Sequence, residues 1–248
     1  MKKLLTLALL LLAASTPAQI LPGILSAKSA SISYATVSFI DNTGGGYANG
    51  SPATANFGTA PNTSGDILVC SAEVQDAAAT ITMSDNLTDV GSAWTAAIGP
   101  YTDYLSLRRL YIFYRTLGST ANSNTAITAT QSGGTPTQVY VSCGQFHKTA
   151  GAWHVDPASG VSASASTFPA TLSNLTTSSS SALIFVFFSG VDETAAASGY
   201  TKFARNGSGS YVRNSFYTIT GAGSKDPNQT VIAVPIQWAA VAVGFSAY

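Results

Sequence analysis

Short apolar runs with period-two alternation recur along this chain of 248 residues, and they constrain its fold more than any other feature. Each run is bounded by Gly, Asn, Ser, Thr or Asp, which is the pattern of strands separated by turns. No segment has the spacing of an amphipathic helix. About a dozen short strands without helices predict an all-β, two-sheet antiparallel β-sandwich.

Two of the runs give specific predictions. The closing strand alternates cleanly, so that Val241, Val243 and Phe245 are expected to point inward. The run Leu105–Thr116 changes phase at the pair Arg108–Arg109, which predicts a β-bulge within one long strand.

The two cysteines both fall on predicted inward faces. Cys70 lies on the strand face of Leu68, opposite Glu73, and Cys143 lies on the face of Val141. We therefore expect a disulfide between them, with two buried thiols as the alternative. In the chain-entropy model a bridge closing a loop of this length stabilises the fold by roughly 4 kcal/mol.

The amino terminus has the layout of a secretory signal peptide. Lys2 and Lys3 precede an apolar run over residues 4–14, and small residues follow through Ala18. We expect a signal peptide over 1–18, with cleavage nearer Ala27 or Ala30 as an alternative, and therefore a secreted protein.

The rest of the chain is divided into an amino-terminal extension, 19–32, and one sandwich domain, 33–248. The later apolar stretches 182–188 and 231–245 are short or interrupted and are typical of buried strands. No membrane span is expected after removal of the signal.

Charge is scarce, since Asp, Glu, Lys and Arg make up 9% of the residues and the formal net charge is zero. Ordinary soluble domains devote about a quarter of their residues to charge. A neutral surface lacks the repulsion that keeps monomers apart, and so favours association or a glycan coat. The absence of a basic patch disfavours nucleic acid as a partner.

A series of short motifs covers nearly the whole mature chain: Thr36–Phe39, Gly65–Val69, Ser84–Asn86 with Trp94, Arg109–Tyr114, Val139–Val141, Ser181–Val186, Ser198–Thr201 and Trp238–Phe245. In this order they resemble the jelly-roll β-sandwich domain of secreted bacterial proteins, of the kind found in donor-strand-linked extracellular fibril subunits. The resemblance implies a jelly-roll fold and a surface, adhesive or fibre-forming role, and it brings no catalytic residues.

Strand donation has candidates at the start of the domain and just before it: Ile32, Tyr34, Val37 and Phe39. A free apolar segment on a neutral protein promotes aggregation unless it is covered. We expect the segment to insert into a groove or along an open edge of the next copy, which builds a head-to-tail homopolymer. The alternative is that it folds back on its own sandwich as an edge strand.

Six asparagines precede Ser or Thr by two residues without an intervening Pro: Asn49, Asn62, Asn86, Asn174, Asn206 and Asn228. All six fall in predicted loops or strand ends, where a glycan can be attached. The alternative is that they are turn asparagines in a chain rich in Ser and Thr.

Candidates for catalysis and metal binding are few. His154 and Asp156 share a strand face and His147 lies nearby, but no third partner stands out. Asp85 and Asp89 could contribute to a calcium site, although turn formation is the better interpretation of Asp85. We therefore expect no catalytic site, no metal and no cofactor.

The exposed rings that could stack on sugars are Trp94, Trp153 and Tyr200, which lie near predicted strand ends. They support an alternative function, a secreted carbohydrate-binding or adhesive module acting as a monomer. A hydrolase using dispersed acids is a further class. The prediction from the sequence is a non-enzymatic structural subunit of an extracellular fibre or surface layer at the bacterial cell surface, with glycans as a further partner.

Overall fold

A computed structural model describes residues 34–103, 105–119, 122–156, 160–165, 171–190, 194–206, 212–231 and 237–248. These residues belong to one unit that spans Ser33–Tyr248. The predicted signal peptide, the extension 19–32 and Ile32 lie outside the described residues. Within the described part of the chain, no helix is long and apolar enough to cross a membrane.

The described residues form strands throughout and confirm the all-β prediction. In chain order these are β1 (Val37–Asn42), β2 (Gly46–Asn49), β3 (Ala53–Asn56), β4 (Ile67–Val74), β5 (Thr80–Asp85), β6 (Thr95–Thr102), β7 (Arg109–Thr116), β8 (Ala126–Ser132), β9 (Gln138–Lys148), β10 (Trp153–Val155), β11 (Val161–Ala165), β12 (Leu175–Thr177), β13 (Ala182–Ser189), β14 (Thr194–Ala195), β15 (Thr201–Asn206), β16 (Arg213–Thr220), β17 (Gly223–Lys225), β18 (Thr230–Val231) and β19 (Trp238–Ala247).

Three antiparallel sheets contain most of these strands. The central sheet has the order β1-β9-β4-β7-β6, with β2 paired to the other half of β9. The C-terminal sheet has the order β10-β19-β13-β16-β15, with β11 also paired to β19, and the small sheet has the order β3-β8-β5. The β-sandwich is therefore confirmed, and the jelly-roll connectivity implied by the motif order stays a prediction.

The central sheet is buried on both faces. One face packs on the small sheet, through a core that includes Leu68 and Ala72 of β4 with Ile81 and Ile127. The other face packs on the C-terminal sheet, around Phe185, Phe187, Val241, Val243 and Phe245. The small sheet thus adds a third layer to the two sheets expected. Strands buried on both faces have continuous apolar runs instead of alternation, which explains the sequence of β4 and β13.

The predicted bulge at Arg108–Arg109 is wrong, because β7 begins only at Arg109. The preceding residues form a turn, in which the Asp103 carboxylate accepts hydrogen bonds from the backbone N–H groups of Leu107 and Arg108. Leu105 and Leu107 are exposed in this turn.

The predicted disulfide is present between Cys70 of β4 and Cys143 of β9. The two residues are directly opposite in the antiparallel register, and their Cα atoms are 4.0 Å apart. Both belong to the core under the small sheet, as their strand faces predicted. The inward direction of Val241, Val243 and Phe245 is confirmed as well.

The start and the end of the described domain meet. The backbone N–H of Ala35 donates to the carbonyl of Ala247 at 2.9 Å. The rings of Tyr34 and Tyr248 pack edge to face with centroids 5.7 Å apart. These contacts link the first strand of the central sheet to the last strand of the C-terminal sheet.

Candidate functional site

Polar side chains lie buried between the central and C-terminal sheets near one end of the sandwich. Ser71 and Glu73 of β4 are buried, and their side chains lie on the side of the strand that packs against the C-terminal sheet. Arg213 of β16 donates from Nη2 and Nε to Oε1 of Glu73, at 2.8 and 3.1 Å. Ser71 and Ser215 share a hydrogen bond of 2.7 Å between their hydroxyls. These contacts tie the two sheets together through polar groups rather than apolar packing.

A second buried ion pair lies beside the first. Arg108 donates from Nε to the Asp103 carboxylate at 2.9 Å, and its other nitrogens reach the Ser189 hydroxyl and the Gln237 carbonyl. Gly190 passes so close that a Cβ there would lie 2.4 Å from Nη1 of Arg108, and its φ of +87° also favours glycine. The backbone is therefore shaped around the guanidinium.

The buried polar cluster shifts the pKa of its members. Burial alone would raise the pKa of Glu73, but the Arg213 and Arg108 guanidinium groups outweigh it, so that the pKa lies below the ordinary range. Burial opposes the charge of Arg213, and Glu73 more than compensates, which raises the pKa of Arg213. Burial raises the pKa of Tyr140. Both shifts favour the charged forms of Glu73 and Arg213.

An open groove of about 490 Å³ lies next to this cluster. It is lined by residues at the ends of β2, β4 and β9: Asn49, Gly50, Gln75, Pro136, Thr137 and Gln138. We call it the amide groove. A smaller hollow of about 190 Å³ on the other side of Gln75 is lined by Leu107, Arg108 and Gln237. Tyr47, two residues before Asn49, is 38% exposed, and its ring lies 5.8 Å from the Arg213 guanidinium.

A carboxylate and an imidazole form a pair at another position on the central sheet. His147 Nδ1 is 2.7 Å from Asp66, and Gln145 donates to the second Asp66 oxygen at 2.6 Å. Burial raises the pKa of Asp66, and the hydrogen bonds from His147 and Gln145 offset part of this effect. The His147 side chain is 38% exposed.

This pair resembles two members of a Ser-His-Asp triad, and Ser38 is the register partner of His147 on β1. Among the hydrogen bonds of the described residues, however, none joins the Ser38 hydroxyl to the imidazole. The contact with Asp66 fixes the orientation of the His147 imidazole.

Asp85 and Asp89, considered above as calcium ligands, both bind Arg115. Arg115 Nη1 donates to Asp85 at 2.6 Å, and Nη2 donates to both oxygens of Asp89 at 2.8 and 2.7 Å. Trp94 Nε1 donates to the same Asp85 oxygen at 2.6 Å. The guanidinium occupies the space between the carboxylates, and no group of three His, Cys, Asp or Glu side chains in the described ranges could hold a metal ion.

The structure does not bring His154 and Asp156 together. The His154 ring stacks on Tyr248 at a centroid distance of 4.2 Å. The Asp156 carboxylate is buried and accepts hydrogen bonds from the backbone and hydroxyl of Ser178. Each residue thus has a structural contact of its own.

The three aromatic residues considered for sugar stacking are used within the fold. Trp94 lies under Arg115, with the guanidinium carbon 6.0 Å from its ring. Trp153 is buried and donates to the Gly65 carbonyl at 3.0 Å. Tyr200 packs against the outer core of the C-terminal sheet, and burial raises its pKa. All three rings therefore have contacts within the fold.

The six sequons differ in how their side chains are held. Asn174, Asn206 and Asn228 donate from Nδ2 to the Ser224 hydroxyl, the Gly45 carbonyl and the Leu172 carbonyl, respectively. Asn49 accepts a hydrogen bond from Tyr47, and Asn86 accepts one from the Ala126 backbone. Asn62 is exposed in the loop before β4. A glycan is attached through Nδ2, so Asn49, Asn62 and Asn86 are the sterically simpler acceptors.

The donor-strand candidates that are described lie within this chain's own sandwich. Val37 and Phe39 belong to β1, which pairs with β9, and Phe39 stacks on Tyr217 at 4.7 Å. Tyr34 contacts Tyr248. Their places correspond to the alternative in which this stretch is an edge strand of its own domain. Donation from this chain would have to use residues upstream of them.

No family model, curated protein or solved structure matches this chain. The site is therefore defined by its geometry alone. No local pattern in the sequence points to the Glu73–Arg213 pair, since 140 residues separate its members. The amide groove depends on the register of three strands, which only a correct pairing of Asn49 with Gln138 would have revealed.

Proposed function

We propose that this protein is a non-enzymatic structural subunit of an extracellular fibre or surface layer. In this assembly, copies join by β-strand complementation and carry glycans on some of the sequons. The motif order, which resembles that of donor-strand-linked fibril subunits, supports the proposal, as does the scarcity of charge. The main support for the proposal comes from the edge strands of the sheets.

Most edge strands of the described residues have features that prevent pairing with another chain. β6 contains Pro100 and two register shifts. β15 contains Lys202, Arg205 and a register shift, and β1 has a shift beside Asp41. Charge, proline and bulges all block edge-to-edge addition.

Other parts of the same chain contact the small sheet at both sides. Arg109 donates to the Ala79 carbonyl at 2.8 Å, just before β5. β2 packs so closely on β3 that a Cβ at Gly46 would lie 2.3 Å from the Thr54 carbonyl oxygen. β2 therefore covers the β3 edge, and Arg109 holds the start of β5.

β11 lacks the charge, proline and register shifts of β6, β15 and β1, and its Ser164 hydroxyl shares a hydrogen bond with the Tyr101 hydroxyl of β6. Its sequence, Val-Ser-Ala-Ser-Ala, is uncharged and lacks proline, and its five residues pair with β19 without a register shift. A regular, uncharged edge is a template for an added strand. The segment 19–32, which contains Ile20, Leu21, Ile24 and Leu25, is the proposed donor.

The test is electron microscopy and light scattering of the secreted mature protein. Wild-type protein is expected to form filaments, and Ser162→Lys, which puts a charge on the β11 edge, is expected to leave monomers. Thr82→Lys on β5 is the matched control and should polymerise normally. Filaments that survive deletion of 19–32 would refute strand donation, and a wild-type chain that stays monomeric at high concentration would refute the proposed function.

A further inference from the structure

The amide groove contains three side-chain amides in one row across three neighbouring strands. Asn49 of β2 and Gln138 of β9 are register partners. The backbone N–H of Gln75, which follows β4, donates to the Gln138 carbonyl at 3.0 Å. Strands lie about 4.8 Å apart, so the row spans about 10 Å. This length suits a ligand of one or two sugar rings.

The amides are oriented by the polar cluster beneath them. Arg213 Nη2 lies 3.4 Å from Oε1 of Gln138, and a guanidinium can only donate. The Gln138 oxygen therefore faces inward and its NH₂ faces the groove. Tyr47 donates to the Asn49 oxygen, which leaves the Asn49 NH₂ free to donate as well. The Gln75 amide has no hydrogen-bond partner among the described residues.

The groove offers hydrogen bonds without net charge. The nearest cations are neutralised, since Arg213 binds Glu73 and Arg108 binds Asp103. Phosphate, sulfate or carboxylate ligands would find no free cation there. Amides both donate and accept, which matches hydroxyl groups that do the same. The exposed part of the Tyr47 ring and the Pro136 ring add apolar surface for the C–H face of a sugar.

An extended peptide fits the groove less well. A peptide strand needs free backbone N–H and C=O groups to pair with. Here the Gly50 N–H donates to the Thr137 carbonyl, and Gln75 and Gln138 are already paired through their backbones. Recognition would fall to side chains, which favours a hydroxyl-rich ligand.

We infer that the amide groove, formed by Asn49, Gln75 and Gln138 beside Tyr47, binds an uncharged oligosaccharide. The groove lies on other strands than the proposed assembly edge at β11, and it would serve equally in a monomer or in a polymer. In a fibre or surface layer it would give every copy one lectin-like contact.

The test uses mature protein whose Asn49 is shown by mass spectrometry to carry no glycan. A glycan array with neutral and acidic oligosaccharides identifies the binders, and titration calorimetry measures their affinity. Gln75→Leu, which keeps the volume but removes the amide, should weaken binding about tenfold, the equivalent of one lost hydrogen bond. Asn62→Leu removes an exposed amide elsewhere and should leave affinity unchanged.

Three results would overturn the inference: no binding to any neutral glycan, binding confined to acidic glycans, or equal affinity in Gln75→Leu. Circular dichroism and the thermal midpoint verify that Gln75→Leu is folded. Ser162→Lys separates this inference from the proposed assembly, because it should abolish filaments and keep glycan binding. Gln75→Leu should still form filaments and should bind glycans more weakly.

Discussion

Replacing Arg213 by methionine should destabilise the fold by about 3–5 kcal/mol at pH 7, because it leaves the Glu73 carboxylate buried without its main partner. The Arg213 and Glu73 side chains are 3% and 0% exposed, and two hydrogen bonds join them. Each charge-assisted hydrogen bond contributes about 1.5–3 kcal/mol, which gives a similar total. Arg108 remains near Glu73 in the variant, so we expect the lower half of this range.

The loss of unfolding free energy caused by Arg213→Met should depend on pH. In the wild type the pKa of Glu73 is lowered, so its stabilising contribution is present above the ordinary value of 4.5 and is lost as the pH falls through the folded-state pKa. Without Arg213, burial dominates and the pKa of Glu73 rises above the ordinary value. The variant then loses stability as the pH rises. The difference in unfolding free energy between the wild type and Arg213→Met should therefore narrow toward pH 4.

Urea unfolding followed by tryptophan fluorescence, repeated across this pH range, measures both effects. Arg205→Met on the exposed surface of β15 is the matched control and should change stability by less than about 0.5 kcal/mol. The double variant Glu73→Gln with Arg213→Met should be less destabilised than Arg213→Met alone, since no buried charge is left. A cost equal to that of Arg205→Met, or one that does not vary with pH, would refute the reasoning.

Three further variants test the disulfide, the core and the Arg115 ion pairs. Cys70→Ala with Cys143→Ala should lower the unfolding free energy by roughly 4 kcal/mol, and reduced wild type unfolding at the same urea concentration as oxidised protein would contradict this. Phe187→Ala, between the central and C-terminal sheets, should cost about 3–5 kcal/mol in the same assay; a loss under 1 kcal/mol would argue against tight packing there. Arg115→Met leaves two carboxylates without their shared cation, and a cost of about 3 kcal/mol would lower the thermal midpoint by about 6–12 °C in calorimetry. An unchanged midpoint would mean that these carboxylates are solvated.

Local alternation was enough to predict the all-β class and the inward faces of several strands. The phase of the Cys70 and Cys143 strands placed both sulfur atoms in the core, and the structure joins them across β4 and β9. Alternation failed at Leu105 and Leu107, whose apolar character suggested a strand. The Asp103 carboxylate instead holds their backbone in a turn, and this contact leaves no periodic signal.

The features that the sequence did not predict depend on pairing between strands that are distant in the chain. Glu73 lies opposite Cys70 on its strand, as predicted, yet it is buried, because the C-terminal sheet covers that face. Its partner Arg213 and the amide neighbours of Gln75 come from distant strands, so only the sheet register reveals them. The third layer was likewise not predictable, since a run buried on both faces has no period that says how many sheets cover it.

The contact between Tyr34 and Tyr248 has a practical consequence for engineering. A short Gly/Ser linker could join these positions, and new termini could be opened at Gly133 and Gly134, in the exposed loop between β8 and β9. Such a circular permutant should retain every strand, because the cut would fall outside the ladders. It would also move any fused tag away from the contact between Tyr34 and Tyr248.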